Sequence, residues 1–471
     1  MKSSTSDLAS FAFNAEFQDL PAPVVHESKR LLLDSLGCAL AGGRVDKGRI
    51  AVAMAKRLGG PAEATIIGVG GRVSCAAAAF ANGELIQALD YEALMSPPGH
   101  APPLLLSAPL ALAEHVNASG KDLILATAVA HEISTRMAVA FGSRSGHVER
   151  GGESVALRHS GVVSIMGGTA AAGKIMKLDA EKLCNALGIA GYLCPVGVRY
   201  KWAYTSPPTM VKHAPAGWVS QAEVTAVLLA ESGYAGDTTV LDGEDGFWKF
   251  INADMWKPEM LFERLGDEWR FPARVHYKHY PCCHLMSASA LGMFCSIVKE
   301  NDLEPGEMEK VRVLVRPHII DPVRTNRDIR DHISAQMSIP YPFAVAAHKI
   351  KVGADWQLPD TITNPRILEF MKKVEYDGHP YYLKENAKDA LGGSPEVSAV
   401  EVIARGRTFK KETTVSDSMS DAELIAKFKS NADAVLSPDR IEQVVQSVLE
   451  LEKLGDVRRL MDNLADNEDL S

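Results

Sequence analysis

The chain has 471 residues, enough for two domains with separate cores. With 46% hydrophobic and 23% charged residues it has the composition of an ordinary folded protein, and a net charge of −9 without a clustered basic stripe excludes a nucleic-acid surface. Seven cysteines, an odd number in mostly apolar contexts, point to reduced buried thiols and away from a disulfide framework.

The N-terminal Met1-Lys-Ser-Ser-Thr-Ser-Asp leads into an amphipathic stretch, with no signal-peptide core. No apolar run is expected to reach transmembrane length, so a soluble cytoplasmic protein without a membrane partner is expected. From Pro23 a helix carries Val24, Leu31, Leu32, Leu36 and Leu40 at helical spacing until Gly42-Gly43 ends it. Further helices are predicted over Arg49–Leu58, Ala76–Leu89, Pro103–His115, Asp122–Phe141, Gly161–Met176, Ala180–Ala190 and Ala216–Glu231. Ala64-Thr-Ile-Ile67, a Gly-Val-Gly-Gly turn and Arg72-Val73 read as a lone hairpin.

Near Arg270 the pattern changes. Strand-like alternation marks Val311–Val315, Lys373–Tyr376, Ala399–Ala404 and Thr408–Val415, with helices over Ser287–Lys299 and Asn364–Lys372 between them. Helices return over Asp421–Asn431 and Pro438–Lys453. The fold class is therefore mainly α: a large all-helical domain over residues 1–269 and 416–471, with a smaller α+β lid domain over 270–415.

The segment from Ala88 to Ala101 carries the strongest chemical signal. An apolar helix ends at Asp90, and His100 follows a Pro-Pro-Gly turn ten residues later. Asp and His are suited to holding and moving a proton near neutral pH. An isolated pair would read as a helix cap and a surface histidine. His159 after Leu157-Arg158, Lys212 in Met210-Val-Lys-His-Ala214 and Tyr341 in Ser338-Ile-Pro-Tyr341 shift the reading toward an acid–base enzyme without a cofactor. Lys212 stands among apolar residues where a helix opens, itself a favourable anion site.

Two other motifs promise more than they hold. Gly168-Thr-Ala-Ala-Ala-Gly173-Lys174 matches most of a phosphate-binding loop, but Ile175 stands where the metal-coordinating Ser or Thr belongs. Its alanines favour a packed helix. His276-Tyr-Lys-His279-Tyr-Pro-Cys282-Cys283-His284 looks like a metal cluster, but adjacent cysteines rarely share one ion and no second ligand pair follows.

Several segments together resemble the MmgE/PrpD family, which includes 2-methylcitrate dehydratase, cis-aconitate decarboxylase and iminodisuccinate epimerase. They are Leu32-Leu-Asp-Ser-Leu-Gly-Cys-Ala39, Ala81-Asn-Gly83 with Leu89-Asp90, Arg158-His-Ser-Gly161 with Gly167–Lys174, the Lys212 segment with Leu228–Gly233, and Lys278-His-Tyr-Pro-Cys-Cys283. The resemblance implies the same two-domain architecture and a cofactor-independent lyase, dehydratase or decarboxylase, acting on a small di- or tricarboxylate. Asp90, His100, His159, Lys212 and Tyr341 match its expected catalytic positions. Lys212 and His159, helped by Arg158, would hold carboxylates; His100 would move the proton, with Asp90 fixing its tautomer; Tyr341 would complete the pocket from the lid.

Lys278 and Ser287 would line the lid side. The chain departs from the family at Leu94, where Thr is frequent, at Glu92-Ala93, where an acidic pair is usual, and at Ser287, where His is common. Leu94 and Ser287 face the substrate in this reading, which leaves open an epimerase of an amino-dicarboxylate or a carboxylate-binding protein without turnover. Metal and cofactor are not expected. A homodimer is, chiefly from the resemblance, with support from the apolar helices Pro103–Ala113 and Asp122–Phe141.

Overall fold

The computed structural model describes residues 3–141, 146–150, 153–157, 163–195, 205–212, 216–251, 253, 255–272, 274–284, 290–383, 397–413 and 418–465. The first half is helical: α1 (Ser4–Asn14), α2 (Ala22–Gly42), α3 (Asp46–Leu58), α4 (Cys75–Gln87), α5 (Pro102–Leu105), α6 (Ser107–His115), α7 (Gly120–Ala140), α8 (Ser164–Ile175), α9 (Ala180–Leu193) and α10 (Ala216–Glu231). The expected helix over Pro103–His115 is two pieces. Pro109 in the first turn of α6 has no N–H to give Leu105, so one continuous hydrogen-bond ladder cannot form, and the chain breaks at Leu106.

Helix α7 is 21 residues long and, by length and composition, apolar enough to cross a membrane, contrary to the expectation that no segment would be. Its apolarity has another cause: 94% of that stretch is buried in the protein. Ser119 and Asp122 form a reciprocal cap at its start. Near its other end the buried Arg136 pairs with Glu132 and donates to the carbonyls of Leu261, Glu263 and Glu268, so its charge is compensated.

The large domain is not wholly helical. The predicted hairpin is present, β1 (Ala64–Thr65) against β2 (Arg72–Val73). A second ribbon, β4 (Gly146–Arg150) with β5 (Glu153–Leu157), was not expected; its polar, glycine-rich sequence lacks the apolar alternation that marks a half-buried strand. A third pairs β3 (Leu94–Met95) with β6 (Val275–His276), far apart in sequence.

Where α4 crosses α10 the backbones touch: a Cβ on Gly217 would lie 2.5 Å from the carbonyl oxygen of Phe80. Helix α8 contains the loop-like Gly168–Lys174 run and packs between α7, α9 and α10.

Beyond β6 a second core begins. It holds α11 (Ala290–Glu300), α12 (His332–Met337), α13 (Pro340–Ala347) and a four-stranded sheet of order β10-β9-β7-β8. The strands are β7 (Met308–Val315), β8 (Val374–Gly378), β9 (Ser398–Ala404) and β10 (Arg407–Thr413); only β7 and β8 run parallel. Helices α14 (Asp421–Ala432) and α15 (Pro438–Leu449) return to the first core. The chain is thus a large helical unit joined to a smaller α+β unit.

Candidate active site

Asp90 lies three residues past the end of α4, at the junction of the two cores. It is fully buried and adopts φ 53°, a left-handed conformation that a non-glycine residue keeps only where its surroundings impose it. Those surroundings come largely from the smaller unit. The amide of Gln336 donates to the Ala88 carbonyl at 2.7 Å, and that of Gln357 to the carbonyls of Leu89 and Pro281 at 2.8 and 2.7 Å. On the other side, Lys427 of α14 pairs with Asp34 at 2.7 Å and donates to the Tyr91 carbonyl at 2.8 Å, while Asp34 accepts the Ala93 N–H. The segment from 88 to 93 is thus pinned from both units.

Two buried lysines grip the Asp90 carboxylate. Lys278 Nζ lies 2.5 Å from Oδ1 and also donates to the Asp90 carbonyl at 2.6 Å; Lys212 Nζ lies 3.0 Å from Oδ2. Burial opposes the Lys278 ammonium, but Asp90 and Glu92 outweigh it and hold its pKa above the ordinary lysine value. For Lys212 burial prevails over Asp90, with repulsion from Lys278 added, and its pKa falls below the ordinary value. Lys278 is thus a fixed cation, and Lys212 the one that gives up its proton more readily.

His100 follows a tight turn closed by Met95 N–H to Gly99 O at 2.9 Å and Gly99 N–H to Met95 O at 2.6 Å. Gly99 has φ 106°, which its missing Cβ permits. The imidazole Nδ1 lies 2.6 Å from Oε1 of Glu92 and 3.7 Å from Oδ1 of Asp90. Glu92, and not Asp90 as expected, is therefore the tautomer-fixing carboxylate; Asp90 is occupied by the lysines. Burial would raise the Glu92 carboxyl, but His100 and Lys278 prevail and hold it below its ordinary range, as an anion. His100 keeps 14% of its side chain exposed, against 1% or less for Asp90, Glu92, Lys212 and Lys278.

Other expected residues fall in different places. Tyr341 belongs to the smaller unit's core, 2% exposed, and its hydroxyl donates to the Trp356 carbonyl at 2.6 Å. That hydrogen is spent on the backbone, which removes Tyr341 from the pocket-donor role. Leu94 is buried in β3 opposite His276, which brings the chain toward Lys278 two residues later. Arg158, His159 and Ser287 lie outside the described residues.

Two site residues escaped the sequence reading. Glu92 counted only as a departure from a pattern. His284 counted only as part of a doubtful metal cluster, yet burial and the nearby Lys278, His276 and His100 push its pKa down to about 3, so it is neutral. Its ring lies 5.6 Å from that of His276. The signal available was the i, i+2 spacing of Asp90 and Glu92 across a helix end. By spacing Asp90, Glu92 and His100 could also hold a metal ion. The two ammonium groups on Asp90 already supply the charge a cation would bring and would repel one.

A two-domain, mainly helical protein with a buried acid–base cluster between its cores is the class these features define. Residues 6–258 match the MmgE/PrpD N-terminal domain and residues 280–451 the MmgE/PrpD C-terminal domain, and the chain belongs to this family. It is similar along nearly its whole length to cis-aconitate decarboxylases. It is 25% identical to one from Aspergillus terreus over 487 residues, covering 98% of this chain and 95% of the relative. Identity to the Homo sapiens enzyme is 27% over 478 residues, covering 97% and 93% respectively. For the Mus musculus enzyme it is 25% over 475 residues, covering 97% and 92%.

Proposed function

We propose that the protein is a lyase that needs no cofactor and acts on a small di- or tricarboxylate by acid–base chemistry. The observation that carries this reading is Asp90 held between two buried ammonium groups beside a histidine fixed by Glu92. Counting ionised groups, Lys212 and Lys278 balance Asp90 and Glu92. A substrate carboxylate therefore enters a cluster that carries no excess negative charge.

Similarity to cis-aconitate decarboxylases supports decarboxylation as the reaction. In that reading the C–C bond to one carboxylate breaks, CO2 leaves, and the electron pair spreads into the adjacent unsaturated carboxylate. The Lys278 ammonium lowers the energy of that anion, and His100 Nε2 supplies the proton that quenches it on carbon. Lys212 moves from Asp90 to share a substrate carboxylate, and His159 with Arg158 adds to its binding. Dehydration uses the same groups in another order, with His100 assisting departure of hydroxide.

The test is incubation of the purified protein with cis-aconitate, citrate, methylcitrate and iminodisuccinate, following product mass and chirality. Loss of CO2 or water supports the lyase. Inversion without mass change would replace it by an epimerase. Binding of these acids without turnover would make the protein a carboxylate binder.

A further inference from the structure

The end of α4 remote from Asp90 carries a second group of side chains. Cys75 is the first residue of α4, Glu63 stands just before β1, and His115 closes α6. One ligand atom from each, a carboxylate oxygen, Sγ and an imidazole nitrogen, lies within 4.8 Å of the other two. Cys75 is 1% exposed, Glu63 is half-buried and His115 is exposed, so the thiol lies on the inner side of a group that opens to solvent. Backbone bonds fix its geometry. Glu63 Oε2 accepts the Cys75 N–H at 3.0 Å, Glu63 N–H donates to Val73 O at 3.1 Å, and Ser74 N–H to Gly59 O at 3.1 Å.

We propose that Glu63, Cys75 and His115 form a binding site for a thiolate-accepting divalent cation of the zinc class, with water in the fourth position. Thiolate sulfur, imidazole nitrogen and carboxylate oxygen are the three donor types zinc takes, and a three-ligand site with one open position is a recurrent zinc geometry. The charges close: one thiolate and one carboxylate neutralise the dication, imidazole binds uncharged, and the thiol proton passes to solvent on binding. Bond lengths of about 2.0–2.3 Å place zinc ligands roughly 3.3–3.8 Å apart. The exposed His115 ring has the freedom to close that gap.

The ion would act as a clasp. Helix α4 leads from Cys75 to Asp90, and α5 and α6 lead from His100 to His115, so the cation joins the far ends of the two arms that carry the acid–base loop. Its expected effect is on stability, and it takes no part in the chemistry at Asp90.

The test uses the full chain stripped with a chelator, then titrated with cobalt(II) and with zinc(II). Expected are one equivalent bound, a near-ultraviolet thiolate-to-cobalt charge-transfer band that zinc displaces, and a rise in Tm with zinc. Cys75→Ser should abolish the band and the rise. His115→Ala, at an exposed position that leaves folding intact, should weaken binding by more than the roughly 10–100-fold typical of losing an outer-shell partner. Absence of the band, its persistence in Cys75→Ser, or unchanged affinity in His115→Ala would each overturn the site. Should Cys75→Ser fail to fold, His115→Ala and Glu63→Gln decide the matter.

Discussion

His100 Nδ1 lies 2.6 Å from Oε1 of Glu92. Asp90, the carboxylate expected to fix the tautomer, stands at 3.7 Å and belongs to the lysines. Glu92→Gln should therefore lower turnover by about 10²–10⁴-fold, as losing the orienting carboxylate of a catalytic histidine does. His100→Ala should fall in the same range. Steady-state kinetics on the identified substrate, with circular dichroism to confirm folding, is the check. A Glu92→Gln enzyme with undiminished kcat would show that the pair does not organise proton transfer.

Lys278→Met should destabilise the fold by about 3–5 kcal/mol, the usual cost of breaking a buried ion pair from one side. Asp90→Asn in the same chain should recover part of that loss, since Lys212 alone no longer faces both Asp90 and Glu92 and the excess negative charge is gone. Denaturant melts of the two single variants and the double variant measure the coupling, and strict additivity would contradict it.

Lys212→Ala should act mainly through KM. A charge facing a substrate carboxylate favours ground and transition states alike, so kcat changes less than KM. The lowered pKa of Lys212 offers the opposing outcome: if kcat collapses while KM holds, Lys212 carries a proton in the reaction.

Acid should destabilise the protein through its buried histidines. Burial pushes His131 and His332 down to about 4 and His284 to about 3, all from an ordinary value of 6.5. Below pH 6.5 the unfolded chain takes protons that the folded chain refuses. Stability present above that pH is thus lost as pH falls toward 4 and then 3, each group contributing up to about 1.4 kcal/mol per pH unit. His131 stacks on Phe271 in the core. His131→Leu should flatten the slope of the urea midpoint between pH 6.5 and 4; an unchanged slope would assign acid lability elsewhere.

We further propose a homodimer. Light scattering at micromolar concentration should give about twice the 50.8 kDa chain mass. A monomer with full activity would refute it.

The sequence was most legible where one physical signal acts alone. Apolar patterning located α2, α4, α9 and α10 and the inner strands β7 and β9 of the four-stranded sheet to within a few residues, because each carries an apolar run into a core. It failed at α5 and α6, where Pro109 interrupts a continuous apolar pattern, and at β4 and β5, whose sequence carries no such pattern.

Within the site, Asp90, His100 and Lys212 were legible from helix ends and apolar context. Lys278 was expected only to line the pocket. Its grip on Asp90 depends on the β3–β6 pairing of residues nearly 200 positions apart, and no local pattern encodes that. The partner of His100 was misassigned for a related reason: the position of Asp90 at a helix end does not reveal that two distant lysines have claimed its carboxylate.

Gln336 and Gln357 cross from the smaller unit to hold the carbonyls of Ala88 and Leu89. Any motion that draws the smaller unit away strips two buried carbonyls of their donors, and only water can replace them. If substrate enters by such a motion, its admission is coupled to wetting of the pocket floor. Return of the glutamines would displace that water from the carbonyls.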